Sequence, residues 1–302
     1  MSHGGVRMAK ALILGGATGL LGQALVHVLS ARGWQVETLG RQDGDLLNFD
    51  FLQSRLNEVH ADVVFNAVGY TAVDAAEDNT EAACELNRAL PDALAHILHT
   101  QAHGRLIHYS TDFVFSGQGE TPLTEDDEAQ PQSVYGRTKL EGEQAVLRGL
   151  PGRSCVLRTA WLFGPGRKNF VDTIVAACEK RDTINVVYDQ VGSPTYSVDL
   201  AQWSAALAEN QATGLWHAVN SGQASWCELA CESIALAAAS CRVVPIDSGQ
   251  WPQKARRPAF SVLDNSKLSA FLGKKPRPWP QALRDYIYSD YLPTHRKEKD
   301  LH

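Results

Sequence analysis

The 302-residue chain has no run approaching the roughly 18 apolar residues that a bilayer-spanning helix requires. It also lacks positive charge in excess: 28 Lys and Arg stand against 34 Asp and Glu, a formal net charge of -6. Neither nucleic acid nor a membrane surface is therefore an expected partner. Its six cysteines (Cys84, Cys155, Cys178, Cys227, Cys231, Cys241) do not form a framework of regular spacings. A chain this long does not need cross-links, so reduced thiols and a cytoplasmic setting are expected. Cys227 and Cys231 share a helix face, where packing is the expected role. His96, His99 and His103 recur at helical spacing without accompanying cysteines or carboxylates, which reads as a solvated helix face rather than a metal stripe. Internal repeats and low-complexity segments are missing too. The polar, glycine-bearing start is a poor secretory signal: residues 1–7 read as a tail, and the last ten residues, rich in charge, as loose.

What is present is an ordinary globular composition, 44% hydrophobic and 21% charged, sufficient for a sizeable core. Short β-rich runs alternate with longer helical ones. Ala11–Leu14 reads as a buried strand, Leu20–Ala31 as a helix closed by Gly33, and Gln35–Leu39 and Val63–Val68 as the next strands. Glu81–Thr100 reads as a helix, Leu106–Tyr109 as a strand, Val134–Leu147 as a helix and Cys155–Leu157 as a strand. Such alternation implies parallel βαβ units: an α/β, Rossmann-type doubly wound sheet. Beyond about residue 165 the pattern loosens. Helices are expected at Phe170–Lys180 and Leu229–Ala239, between proline-rich connections. The expectation is a nucleotide-binding region over residues 8–165 and a smaller substrate-binding region over 166–302, with some crossing of the chain between them.

Gly16-Ala17-Thr18-Gly19-Leu20-Leu21-Gly22 follows the first strand and opens the first helix. The three glycines suit a tight turn, approach of the backbone to a pyrophosphate and close helix–sheet packing. The helix N-terminus offers unpaired N–H groups and partial positive charge to phosphates. At the end of the second strand an NAD site normally carries a carboxylate. Here Thr38-Leu39-Gly40-Arg41 carries a guanidinium instead, which favours the 2′-phosphate of NADPH, with NADH and a plain surface Arg41 left open. Asp45 and Leu46 are suited to the adenine edge.

Tyr135 and Lys139 lie four apart on one helix face. A nearby ammonium stabilises a phenolate and brings the tyrosine toward working pH, and the same lysine can hold a ribose. Thr111, in Ser110-Thr111-Asp112, closes the fourth strand, and ligands of open parallel sheets sit at such carboxyl ends. Hydroxyl, phenol and ammonium together form a constellation for reducing a carbonyl. Asn87 is a candidate support for Lys139, with a plain helix-surface role open.

These residues, with NAVGYTAVDAAE (66–77), STDFVFSG (110–117), VYGRTKLEGE (134–143), RTAWLFG (158–164), VGSPTYSVDLA (191–201) and RRPAFSVLD (256–264), cover nearly the whole chain. The chain resembles the extended short-chain dehydrogenase/reductases, and within them the dTDP-4-dehydrorhamnose reductase family. The resemblance implies hydride transfer to the 4-keto group of dTDP-4-dehydro-6-deoxy-L-mannose, giving dTDP-L-rhamnose. It implies Tyr135 as acid, Thr111 as partner of the carbonyl and Lys139 as the group tuning the phenol. Ala67, Val68 and Gly69 would line the cofactor; Val73, Asp74, Asp112, Trp161 and Arg257 would face the dTDP-sugar, a core position for Trp161 remaining open. Two alternatives stand beside this reading: another sugar-nucleotide enzyme (epimerase or dehydratase), and a nucleotide-binding regulatory subunit. Family members that dimerise around Mg²⁺ carry a Glu shortly after the third glycine. This chain has Gln23-Ala24-Leu25, so no metal is expected there and a monomer or weak homodimer is expected. Phe113 stands where a Tyr is common, a modest packing change.

Overall fold

The computed structural model describes residues 8–294; the tail at residues 1–7 and most of the charged last ten residues lie outside it. The first half builds β1 (Lys10–Leu14), α1 (Leu20–Ala31), β2 (Gln35–Leu39), α2 (Phe49–Val59), β3 (Val63–Asn66), α3 (Val73–Ala76), α4 (Thr80–Cys84), α5 (Leu90–Thr100), β4 (Arg105–Thr111), α6 (Val134–Gly149) and β5 (Ser154–Thr159). The second half adds β6 (Leu162–Phe163), α7 (Phe170–Cys178), β7 (Thr183–Val187), β8 (Val191–Gly192), β9 (Thr195–Tyr196), α8 (Ser197–Glu209), β10 (Gly214–His217), β11 (Ala224–Ser225), α9 (Trp226–Leu236), β12 (Arg242–Ile246), α10 (Ser266–Leu272) and α11 (Trp279–Tyr286).

Six strands form the central sheet in the order β10-β5-β4-β3-β1-β2, every pair parallel. Both faces are covered, as a parallel sheet demands. The alternation within β1 shows how. Ala11 and Ile13 face the layer of α1 and α8, whereas Leu12 and Leu14 face the layer of α2, α5 and α6. All four are fully buried. Three small two-stranded sheets, β6–β9, β8–β11 and β7–β12, organise the rest. A separate cluster of Phe163, Tyr196, Leu283 and Tyr286 joins β6, β9 and α11 there.

Several elements differ from the sequence reading. The stretch from Thr80 to Thr100 is continuous, but Glu85–Ala89 forms a π turn inside it. The solvated helix face expected to carry His96, His99 and His103 is shorter: the helix ends at Thr100, and His103 lies beyond it, its ring stacked on His60 at 4.0 Å. β3 stops at Asn66, freeing residues 67–72 as a loop. α2, α8 and β10 are additional elements. α8 pairs with α1 on one face, and β10 adds to the far edge of β5, so a segment late in the chain completes the central sheet.

Candidate active site

The carboxyl ends of β1, β2 and β3 open onto a cleft of about 1170 Å³, lined by Gly15, Thr18, Gly19, Gly40 to Gln42, Gly44 to Leu47 and Ala67 to Ala72. The tight turn falls on Gly15, at φ +79°, rather than on Gly16. Gly16 is buried against β2, where a Cβ would lie 2.6 Å from Thr38 Cγ2. Gly22 lets α1 close onto the turn, since a side chain there would strike the Gly15 carbonyl. Leu20 is partly buried, and Leu21 turns into the core beneath α1. Thr18 and Gly19 are the members of the glycine motif that face the cleft. Arg41 and Asp45 are exposed on its wall, and Leu46 forms its buried floor. Asp45 Oδ1 accepts the Leu47 N–H at 3.0 Å, which orders this corner. A strand-to-helix turn with N–H groups free at the α1 start, a cation after β2 and a cleft of this size suit a dinucleotide.

Next to this cleft, α6 carries Tyr135 and Lys139. Ser133 caps the helix, its Oγ accepting the Gly136 N–H at 3.1 Å, and Glu77 Oε1 accepts the Val134 N–H at 2.9 Å. Gly142 allows α6 to lie directly on the π turn, because a methyl group there would collide with the Asn87 carbonyl. Asn87 is fully buried and not on a helix surface. Its Oδ1 accepts the Tyr70 N–H at 2.8 Å, and its Nδ2 donates to the Tyr70 carbonyl at 3.2 Å and to Thr138 Oγ1 at 3.1 Å. It thus ties the cleft loop to α6, and does not support Lys139 through a direct bond.

Lys139 is buried and its Nζ donates to the Tyr109 carbonyl. Burial lowers its pKa to about 8, against the charge of Glu143, which raises it. Tyr135 is half-buried, its ring edge-on to Phe113 at 5.5 Å. Burial pushes the phenol up to about 12; Thr111 pulls it down and the charge of Asp112 pushes it up. Lys139 shares the α6 face with Tyr135, and its ammonium is held by the Tyr109 carbonyl. Thr111 Oγ1 donates to Asp112 Oδ1 at 3.0 Å and accepts the Phe113 N–H at 3.2 Å.

Asp112 is buried at 2% exposure, and Ser261 Oγ donates to its Oδ2 at 2.6 Å. Burial raises its pKa to about 6 in spite of these hydrogen bonds. A carboxyl raised on folding binds more protons folded than unfolded between about pH 4 and 6, so its contribution to stability declines as pH rises through that window. Urea midpoints taken at pH 4 and pH 7 should show this: Asp112→Asn removes the decline relative to the parent chain, and equal profiles would refute it.

The substrate-side candidates are arranged differently from one another. Arg257 Nη1 and Nη2 donate to Asp74 at 3.0 and 2.7 Å, and the Lys254 and Ala255 N–H groups both donate to Asp74 Oδ1 at 2.9 Å. The guanidinium beside Asp74 holds its carboxyl down at about 2. These two residues therefore latch the 254–257 segment onto α3, next to the half-buried Val73. Trp161 sits after β5 at φ +48°, a sparsely populated conformation for a bulky residue. Its indole stacks on Trp226 at 3.5 Å, so one face is already covered. The sequence reading missed Gln42, Tyr70, Thr71, Glu85 and Arg167 of the cleft wall. Tyr70 and Thr71 follow Gly69 within a motif already singled out, whereas Arg167 lies in the loosely patterned half without such a signal. Gln23 donates to the Gly166 carbonyl at 3.2 Å, and Ala24 is buried. Among the described residues no group of three or more His, Cys, Asp or Glu is arranged to hold a metal, and no helix is long and apolar enough to cross a membrane.

A doubly wound parallel sheet, a glycine turn at its first crossover, and a Thr at the end of its fourth strand beside a Tyr and a Lys on α6 define an extended short-chain dehydrogenase/reductase, a class of dinucleotide-dependent oxidoreductases. The family model described as the RmlD substrate binding domain matches residues 9–291, and the chain belongs to that family. It is 40% identical over 277 residues to a dTDP-4-dehydrorhamnose reductase of Streptomyces griseus, covering 89% of this chain and 90% of that one. It is 39% identical over 291 residues, 94% and 98% of the two chains, to a probable dTDP-4,6-dihydroxy-2-methyloxan-3-one 4-ketoreductase of Streptomyces antibioticus. Among solved structures, a dTDP-4-dehydrorhamnose reductase of Bacillus anthracis in complex with NADP superimposes with a TM-score of 0.89 at 27% identity, over 94% of this chain and all of that one.

Proposed function

We propose that this chain is an NADPH-dependent reductase that converts dTDP-4-dehydro-6-deoxy-L-mannose to dTDP-L-rhamnose. The observation that carries this reading is the convergence of Thr111, Tyr135 and Lys139 beside a cleft shaped for a dinucleotide. The bound nicotinamide supplies the hydride. Tyr135 donates the proton to the carbonyl oxygen that becomes the 4-hydroxyl. Thr111 hydrogen-bonds that oxygen and sets its position. Lys139 keeps its charge at neutral pH and is placed to hold the nicotinamide ribose, its Nζ 3.8 Å from where a Gly69 Cβ would lie.

Gly16, Thr18, Gly19 and the α1 start, with Leu20, Leu21 and Gly22, form the diphosphate turn. Arg41 takes the 2′-phosphate, Asp45 and Leu46 the adenine, and Ala67, Val68 and Gly69 the nicotinamide side. Asp112 orients Thr111, and Trp161 offers its uncovered side to the sugar nucleotide. Val73, Asp74 and Arg257 shape the substrate side through the latched segment. Residues 8–165 serve the cofactor and 166–302 mainly the substrate, with α8 and β10 crossing back. The protein acts in the cytoplasm as a monomer or weak homodimer.

The test is stoichiometric: adding the dTDP-4-keto sugar to enzyme and NADPH should consume one NADPH per sugar reduced, as followed by loss of nicotinamide absorbance. An epimerase regenerates its cofactor, and a regulatory subunit does not oxidise NADPH at all. Either result, with every dTDP-4-keto-6-deoxyhexose tried, overturns the assignment.

A further inference from the structure

One wall of the dinucleotide cleft comes from the other half of the chain. Between β6 and α7 the sequence Gly164-Pro165-Gly166-Arg167-Lys168-Asn169 reaches toward α1, and Arg167 lines the same cleft as Thr18 and Gly19. The loop is anchored at both ends. Gln23, on the first turn of α1, donates to the Gly166 carbonyl at 3.2 Å. Asn169 Nδ2 donates to the carbonyls of Gly164 at 3.0 Å and Arg167 at 3.4 Å. The Asn169 side chain also accepts the Val171 N–H at 2.9 Å, fixing the loop to the start of α7.

The guanidinium between these anchors is exposed and enters none of the ion pairs formed among the described residues. The other charged groups along the cleft are Arg41 and Asp45 after β2 and Glu85 beneath the 67–72 loop. Asp45 has its Oδ1 engaged by the Leu47 N–H. Arg167 directly follows the Gly166 carbonyl that Gln23 of α1 holds, so it is a cation of the cleft wall tethered to the first turn of α1. A helix N-terminus supplies about half a positive charge, which leaves most of a doubly charged diphosphate uncompensated. An unpaired guanidinium facing it provides the remainder in two-pronged geometry.

We propose that Arg167 is a clamp on the diphosphate of the bound dinucleotide, swung in from the substrate side and held in place by Gln23. This rests on the assignment of the cleft to NADPH. The clamp also gives the cofactor a contact with the loop leading into α7, so cofactor binding and the substrate half are mechanically joined.

The test uses the full-length protein, with affinities for NADPH, NADH and dTDP measured by quenching of intrinsic tryptophan fluorescence. Arg167→Ala should weaken NADPH and NADH equally, by about 10-fold or more, reduce the salt dependence of both, and leave dTDP affinity unchanged. Arg167→Lys should recover part of the loss, and Gln23→Ala should show a smaller loss of the same pattern. Arg41→Ala is the contrast, weakening NADPH alone. Unchanged dinucleotide affinity in Arg167→Ala overturns the clamp. A loss confined to NADPH moves Arg167 to the 2′-phosphate, and a loss confined to dTDP moves it to the substrate; both overturn it while leaving the function standing. A parent protein that binds neither dinucleotide overturns the function and the clamp together.

Discussion

Replacing Tyr135 by phenylalanine should lower turnover by on the order of 10²–10⁴-fold, the usual contribution of a positioned general acid. Nucleotide affinity should stay within about 2-fold, because the removed hydroxyl bonds Thr111 and Tyr135 is not among the residues lining the dinucleotide cleft. The phenol is raised to about 12 by burial in the free protein, so it is protonated throughout the neutral range and loaded as an acid. After donating, it must regain a proton, and the phenolate it passes through is costly in a buried setting unless a cation is close. Lys139, held by the Tyr109 carbonyl, is poised on the same helix face to come into play at that stage. The expected split is therefore a fall in kcat at nearly constant KM in the steady-state assay. A Tyr135→Phe variant with parental kcat would remove the phenol from the reaction.

The second large effect concerns stability. Arg158 Nε and Nη2 donate to Glu143 Oε1 and Oε2 at 2.9 and 2.8 Å, with the two side chains 4% and 2% exposed. The guanidinium also lies over the Phe115 ring at 4.9 Å. Arg158→Met leaves a carboxylate buried without its partner, which costs about 3–5 kcal/mol. A melting point lower by roughly 5–8 °C is expected for a chain of this size. Adding Glu143→Leu to Arg158→Met removes the stranded charge and should restore most of the loss. Glu143 also raises the pKa of Lys139, so the stabilised double variant should hold a lysine that deprotonates at lower pH. A single variant that melts with the parent would show that the pair carries no net weight in the fold.

Much of the first half of the chain was readable because most of its elements, α2 excepted, advertise themselves locally. Ala11–Leu14 is a pure buried run, the glycines mark the turn, and Tyr135 and Lys139 are brought together by helix geometry alone. α8 hides for the opposite reason. It is buried on most of its surface, with small residues such as Ala201, Ala205 and Ala208 in the core, so it lacks the polar face that gives a helix its period. β10 is four residues long and gains its strand character from β5. The latch of Arg257 on Asp74 joins residues 183 apart, a pairing that no local pattern encodes. Trp161 illustrates a subtler limit. Its place after β5 was legible, but Trp226, which covers one of its faces, comes from a helix start 65 positions later in the chain. The position of Lys139 followed from spacing, whereas its bond to the Tyr109 carbonyl depends on how closely α6 lies on β4, which no local pattern encodes.

The late arrival of β10 has a consequence for how the molecule is made. A ribosome that has just finished β5 at Thr159 must add more than fifty further residues before Gly214–His217 emerge to pair with that strand. At about 5–20 residues per second the margin of β5 stays open for several seconds. Its N–H and C=O groups are then available to any other nascent strand, the situation in which edge-to-edge association begins. Overproduction should thus lead to inclusion bodies more readily than the finished fold would suggest. Slower synthesis at low temperature, or a holdase that shields the margin until β10 docks, should raise the soluble yield.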